Sequence, residues 1–97
     1  MAIVRITSPR EVTWDIYNQV EAKIESEGAP DGLIIHTAVE NDGRPKIIDV
    51  WESEEHAERF GQERLGPAMM EIAGDQVGGP PDPDQVEIYE IKAMMRP

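Results

Sequence analysis

Hydrophobic and polar positions alternate from Ala2 to Thr7, with Ile3 and Arg5 on one side and Val4 and Ile6 on the other. That period of two predicts a half-buried strand. Ser8-Pro9-Arg10-Glu11 carries the marks of a helix start: a side-chain acceptor, a proline suited to the first helical position, and a glutamate three residues after the serine. Val12, Ile16, Val20 and Ile24 then recur every fourth residue with Tyr17 beside them, so the spacing predicts a helix with one core-facing stripe, ending near Glu27 and Gly28. The turn Ala29-Pro30-Asp31-Gly32 leads into a strand from Leu33 to about Val39. Asn41-Asp42-Gly43 is a hairpin signal because these residues tolerate positive φ, and the partner strand is expected over roughly Lys46 to Trp51.

Ser53 is placed to cap a second helix, with Glu54 and Glu55 complementing its positive end and Ala57, Phe60 and Arg64 sharing one side. Gly66-Pro67 is expected to interrupt that helix, with a short helical piece containing Ala68, Met69 and Ile72 beyond it. The Gly- and Pro-rich stretch from Gly74 to Gln85 reads as a loop, and a last strand is expected from about Val86 to Met94. The resulting order βαββαβ predicts one α+β domain over residues 1–97: a ferredoxin-like fold with a four-stranded antiparallel sheet. Helices cover one face of such a sheet, so the apolar residues on the other face need a partner. Face-to-face packing of two sheets in a homodimer is the expected solution.

Composition narrows the chemistry. The 9 Lys and Arg against 20 Asp and Glu give a formal charge of −11, which opposes binding to nucleic acid and to anionic membrane surfaces. With no cysteine there is no disulfide, thiolate nucleophile or Cys-ligated metal, which fits a reducing compartment. No signal-peptide pattern or bilayer-length apolar run is seen, and a cytoplasmic location is expected. Phosphate loops, nucleophile elbows and zinc-protease helices are absent from the sequence.

The hairpin from Gly32 to Ser53 carries the candidate chemistry. With a tight turn around Asp42-Gly43, His36 falls opposite Asp49; with a three-residue bulged loop it falls opposite Ile48. One residue of register changes the face. In the first case a carboxylate orients the imidazole, sets its tautomer and raises its pKa, as a general base needs; in the second, His36 is a structural histidine among apolar neighbours. Trp51 is either an aromatic wall for a planar molecule or a core residue. Arg5 either holds an anionic or phenolate group or pairs with Asp49 or Glu90. Tyr89 either donates a hydroxyl into a cavity or lies at a dimer seam. His56 stands among Glu52, Glu54, Glu55 and Glu58, but acidic residues at a helix start are ordinary dipole chemistry, and no metal site is expected. The paired methionines Met69, Met70, Met94 and Met95 read as adaptable packing. If the Gly/Pro loop folds over a cavity mouth, it gates entry.

Gly32-Leu33-Ile34-Ile35-His36, Asp49-Val50-Trp51-Glu52-Ser53, Phe60 and Leu65-Gly66-Pro67-Ala68 together resemble the antibiotic biosynthesis monooxygenase-like (ABM-like) proteins of the dimeric α/β-barrel superfamily. The resemblance implies a homodimer whose two sheets form a barrel, with a cavity in each subunit for a small hydrophobic or aromatic molecule. Members of the group include cofactor-free oxygenases and haem-degrading enzymes. The haem-degrading members carry an asparagine late in the first strand, a tryptophan in the helix after the Trp-x-Ser turn and a haem-ligating histidine ten residues beyond. This chain has Ile6-Thr7, Phe60 and Met70 there, which argues against haem degradation. The quinone-forming oxygenases use an Asn, Trp, Tyr and Arg set whose types are supplied here by Trp51, Tyr89 and Arg5 or Arg64. The resemblance therefore implies a cofactor-independent monooxygenase of a phenolic or polycyclic aromatic substrate, needing neither metal nor cofactor. His36 and Asp49 are its expected catalytic pair, and Trp51, Arg5, Tyr89 and Phe60 its expected substrate contacts. The competing expectation is a non-catalytic ligand-binding or accessory homodimer.

Overall fold

The structure is a computed structural model that describes residues 1–74 and 82–97. Its elements are β1 (Ile3–Thr7), α1 (Trp14–Ser26), β2 (Leu33–Asn41), β3 (Arg44–Trp51), α2 (Glu54–Phe60), a π-helical segment over Gly61–Leu65, α3 (Gly66–Ala73), a 3-10 turn over Pro83–Gln85, and β4 (Val86–Glu90). The strands form one antiparallel sheet in the order β2-β3-β1-β4, as the ferredoxin-like reading requires. The part of the expected gating loop over residues 75–81 lies outside the described residues.

Three boundaries differ from those expected, each for a local reason. The helix signalled at Ser8 begins at Trp14, because Thr13 supplies the cap: its hydroxyl accepts from the Ile16 amide at 3.2 Å. Ser8 is engaged elsewhere, its amide donating to the Gln85 carbonyl at 2.8 Å, and Val12 is buried as part of the connection rather than the helix. At Gly66-Pro67 the chain does not break. The π turn widens the hydrogen-bond spacing, so that the Gly66 amide reaches the Gly61 carbonyl and the helix passes into α3 with proline in its first turn. A side chain at Gly66 would come within 3.0 Å of that carbonyl. Finally, β4 stops at Glu90 rather than Met94, because its antiparallel partner β1 starts at Ile3, opposite Glu90, and the Ile91 amide makes a last 2.9 Å bond to Ala2.

The hairpin turn is tight. Asp42 and Gly43 both have positive φ, 52° and 83°, the two-residue geometry that keeps the twist of the flanking strands. The register therefore pairs Asn41 with Arg44 and, counting inward, His36 with Asp49. A bulge between Leu33 and Ile35 returns Leu33 to the face of Trp51 at the base of the hairpin.

Alternation then sorts the sheet into two faces. Ile3, Arg5 and Thr7, with Ile47, Asp49 and Trp51 beside them and His36 beyond, point toward the helices. Val4, Ile6, Ile48, Val50, Ile35, Val39 and Tyr89 point the other way, and Ile35, Val39 and Tyr89 are exposed. Under the helices the core is split. Val12, Ile16, Val20 and Ile24 pack with Ala68 and Ala73, while Ile3, Trp51 and Ala57 form a second group; Phe60 packs against both. Helix α1 packs mainly on α3, so the space between α1 and the sheet stays open.

Candidate functional site

That space is a cavity of about 1280 Å³, walled by Arg5, Tyr17, His36, Asp49, Trp51 and Phe60 among others. It exceeds the roughly 300–1,000 Å³ typical of small-molecule sites. Its position follows from the sequence locally. The stripe Ile16, Val20 and Ile24 seats α1 on α3, and the next stripe round the helix, Trp14, Tyr17 and Glu21, faces β2. Trp14 braces that side: its indole N–H donates to Glu40 at 2.7 Å, and its ring meets Tyr17 edge-on at 5.5 Å.

His36 is the centre of the polar wall. Its Nδ1 lies 2.7 Å from Asp49 Oδ1, and its Nε2 lies 2.6 Å from the Tyr17 hydroxyl and 3.3 Å from Glu21 Oε2. The Tyr17 and His36 rings are nearly parallel, with centroids 5.9 Å apart. The hydrogen bond that His36 donates to Asp49 raises the His36 pKa above its ordinary value; burial opposes this, and the charges of Asp49, Glu21 and Glu25 add to the rise. Burial, reinforced by Glu21, Asp49 and Glu25, pushes the Tyr17 phenol up to about 12, so it stays protonated at neutral pH. With Asp49 accepting from Nδ1–H, neutral His36 presents Nε2 as an acceptor and Tyr17 donates to it.

This pairing has a pH signature. A group whose folded pKa is raised stabilises the fold fully below its unfolded pKa and loses that contribution as pH rises through the folded value. The stability difference between wild type and His36→Gln in urea unfolding is therefore expected to be largest just below pH 6.5, the ordinary histidine value, and to shrink above it. A difference that grows with pH across this interval would contradict the pairing.

Arg5 stands beside Asp49 on the far side from His36, in register across β1 and β3. The expected ion pair is not formed. Among the described residues its guanidinium has one hydrogen bond, to the Thr7 hydroxyl at 3.3 Å, and no carboxylate within ion-pair distance. Burial lowers its pKa, with the more distant charges of Asp49, Glu58 and Glu54 opposing the shift. Among the described residues, most of its five donors have no partner and could serve another acceptor.

The other sequence candidates divide. Trp51 is only 2% exposed; it lines the cavity but packs as core, its ring 5.3 Å from Phe60. Tyr89 is not in the cavity. It sits on the opposite sheet face, 53% exposed, and donates to Glu87 at 2.5 Å, because its place in β4 pairs with Val4 rather than with the Arg5 side. Arg64 is occupied structurally, donating to the carbonyls of Ile24 and Gly28 at 3.1 and 2.7 Å and so finishing α1. His56 is likewise local: its Nδ1 meets the capping Ser53 hydroxyl at 2.7 Å, and its ring fills the space a side chain on Gly32 would need. Tyr17 and Glu21 join His36 in the cavity wall, and the apolar stripe alone does not reveal them. The signal for them is the neighbouring i, i+3, i+7 series of Trp14, Tyr17 and Glu21.

Comparison with solved structures matches this arrangement over nearly its whole length. A protein of unknown function from Nitrosomonas europaea is 16% identical, with a TM-score of 0.61 over 99% of this chain and 91% of that one. A Caulobacter crescentus protein named provisionally as an antibiotic biosynthesis monooxygenase is 13% identical, with a TM-score of 0.57 over 93% and 87%. The chain has an ABM-like fold. A Mycobacterium tuberculosis protein, 15% identical with a TM-score of 0.59 over 98% and 97%, is a further example. No protein-family model matches the sequence, and no curated protein does either. At these identities the ABM-like likeness establishes the fold, and the chemistry must be argued from the residues in the cavity. No helix among the described residues is long and apolar enough to cross a membrane.

Proposed function

We propose that this ABM-like protein binds a small aromatic molecule in the cavity and removes a proton from it, as the first step of cofactor-independent oxygenation of a phenolic or polycyclic aromatic substrate. The observation that carries this reading is the 2.7 Å His36–Asp49 contact in the cavity wall. A carboxylate on Nδ1 turns Nε2 toward the cavity side as the basic atom and stabilises the imidazolium once the proton has moved. The electron-rich substrate anion then reacts with dioxygen. At an activated CH2 group, one atom of O2 stays on the carbon as the ketone oxygen and the other leaves with the two hydrogens as water. Arg5, with open donors across Asp49, stabilises the negative charge as it develops. We infer in the same way that two copies pair through the exposed face that carries Ile35 and Val39.

A second reading draws on a different observation. His36 Nε2 already has Tyr17 and Glu21 as neighbours, the satisfied state of a structural histidine in a ligand-binding, non-catalytic protein. Dithranol, a hydroxyanthrone, separates the two. The oxygenase reading expects uptake of one O2 per anthrone, with one ¹⁸O from ¹⁸O2 in the quinone, and background rates in His36→Gln. Thermal stabilisation by dithranol with no oxygen uptake above background would favour the binding reading instead.

A further inference from the structure

The basic nitrogen of His36 is already engaged: the Tyr17 hydroxyl sits 2.6 Å from it, and Tyr17 and His36 both line the cavity. The phenol thus occupies the hydrogen-bonding position on Nε2 that a substrate proton would need for direct transfer. We propose that Tyr17 is the catalytic group that touches the substrate, relaying its proton to His36. The inference rests on the reading of His36 as a base and adds the residue through which that base works.

In the relay, the substrate's acidic C–H or O–H proton moves to Tyr17 Oη while the proton already on Oη moves to His36 Nε2. The electron pair of the broken bond stays on the substrate as an enolate or phenolate, and Tyr17 ends as it began. His36 ends as an imidazolium that donates to Asp49 through Nδ1. No oxidant or reductant enters this step. Glu21, one turn along α1 from Tyr17, lies 3.3 Å from Nε2 and accepts from the imidazolium once it forms. The two α1 residues thus serve the two protonation states of one ring, Tyr17 as donor to the neutral form and Glu21 as acceptor from the charged one. A free tyrosinate is not required, which agrees with a phenol pKa near 12. Two features keep the phenol in place without further cost in conformational freedom: the parallel packing against the His36 ring and the edge contact from Trp14.

The groups that set the pH dependence are those facing His36 from each packed element: Asp49 on β3, and Tyr17, Glu21 and Glu25 on α1. Protonated His36 cannot accept, so relay activity rises with pH through the raised His36 pKa and levels off above it.

The test uses the full chain and 2-tetralone, a neutral bicyclic ketone, with loss of its C1 protons in D2O followed by ¹H NMR. Wild type is expected to accelerate exchange over buffer. Tyr17→Phe should lower the saturated rate at least tenfold while the concentration for half-saturation changes less than about threefold. A second measurement guards against a packing effect. The chain has two tyrosines, so 3-fluorotyrosine incorporated in a Tyr89→Phe background labels position 17 alone. Its more acidic phenol should change the rate and displace the pH profile, which a purely packing ring would not do. If Tyr17→Phe keeps the wild-type rate while His36→Gln abolishes it, His36 acts directly and the relay is wrong, with the base reading intact. An unchanged rate and profile with fluorotyrosine likewise overturns the relay. If wild type does not accelerate exchange at all, the base reading fails and the relay fails with it.

Discussion

His36→Gln is expected to cut the rate of proton abstraction from 2-tetralone by about 10²–10⁴-fold, the range general-base catalysis contributes. Glutamine retains a donor that can reach Asp49, so the wall of the cavity is preserved while the titrating nitrogen is lost. Asp49→Asn should give a loss of the same order by another route. The amide no longer holds a proton on Nδ1, the tautomer that leaves Nε2 basic is no longer favoured, and the imidazolium loses its counter-charge. Measuring saturated rate and half-saturation separately checks this, because both substitutions should act on the rate. A rate within twofold of wild type for either variant would remove His36–Asp49 from the chemistry.

Trp51→Ala is the substitution with the largest expected effect on stability. Trp51 is 2% exposed and packs with Ile3, Ala57 and Phe60, so truncation leaves a cavity next to one that already exists. A loss of about 3–5 kcal/mol is expected, against roughly 5–15 kcal/mol for a whole domain. In a domain of this size that corresponds to a melting temperature lower by about 12 °C or more. Urea unfolding monitored by far-UV circular dichroism measures it. Trp51→Phe, which keeps a ring, should cost much less, and a null effect of Trp51→Ala would place the indole outside the core.

The core is small because its two parts do not merge. Most of the interior that would join the α1–α3 cluster to the Trp51 cluster is given over to the cavity, with Phe60 reaching both. Stability and ligand space compete for the same volume in a chain of 97 residues. An aromatic occupant that filled the space would relieve that competition, which is why ligand-induced stabilisation is expected under both functional readings.

The elements and their order were legible in the sequence because they depend on local patterns. Alternation at Ile3 to Thr7, the four-residue repeat through Ile16, Val20 and Ile24, and the Asp42-Gly43 turn each act within a few residues. The helix start was not legible: Ser8 carried the cap signal, yet its amide bonds the Gln85 carbonyl, 77 residues on, and the cap falls at Thr13. Arg5 illustrates the same limit, since the sequence supplied carboxylates for it and the fold left them out of reach.

By itself the sequence determined the βαββαβ order, the apolar stripe and the placing of His36 and Asp49 on paired strands, because hydrogen-bond geometry and side-chain periodicity operate over short separations. Only the tertiary structure decided the site. Tyr17 meets His36 across 19 positions of chain, Tyr89 falls on the far face, and Arg5 has no ion pair among the described residues, because these outcomes depend on how α1 is seated above the sheet and on which neighbours each strand acquires.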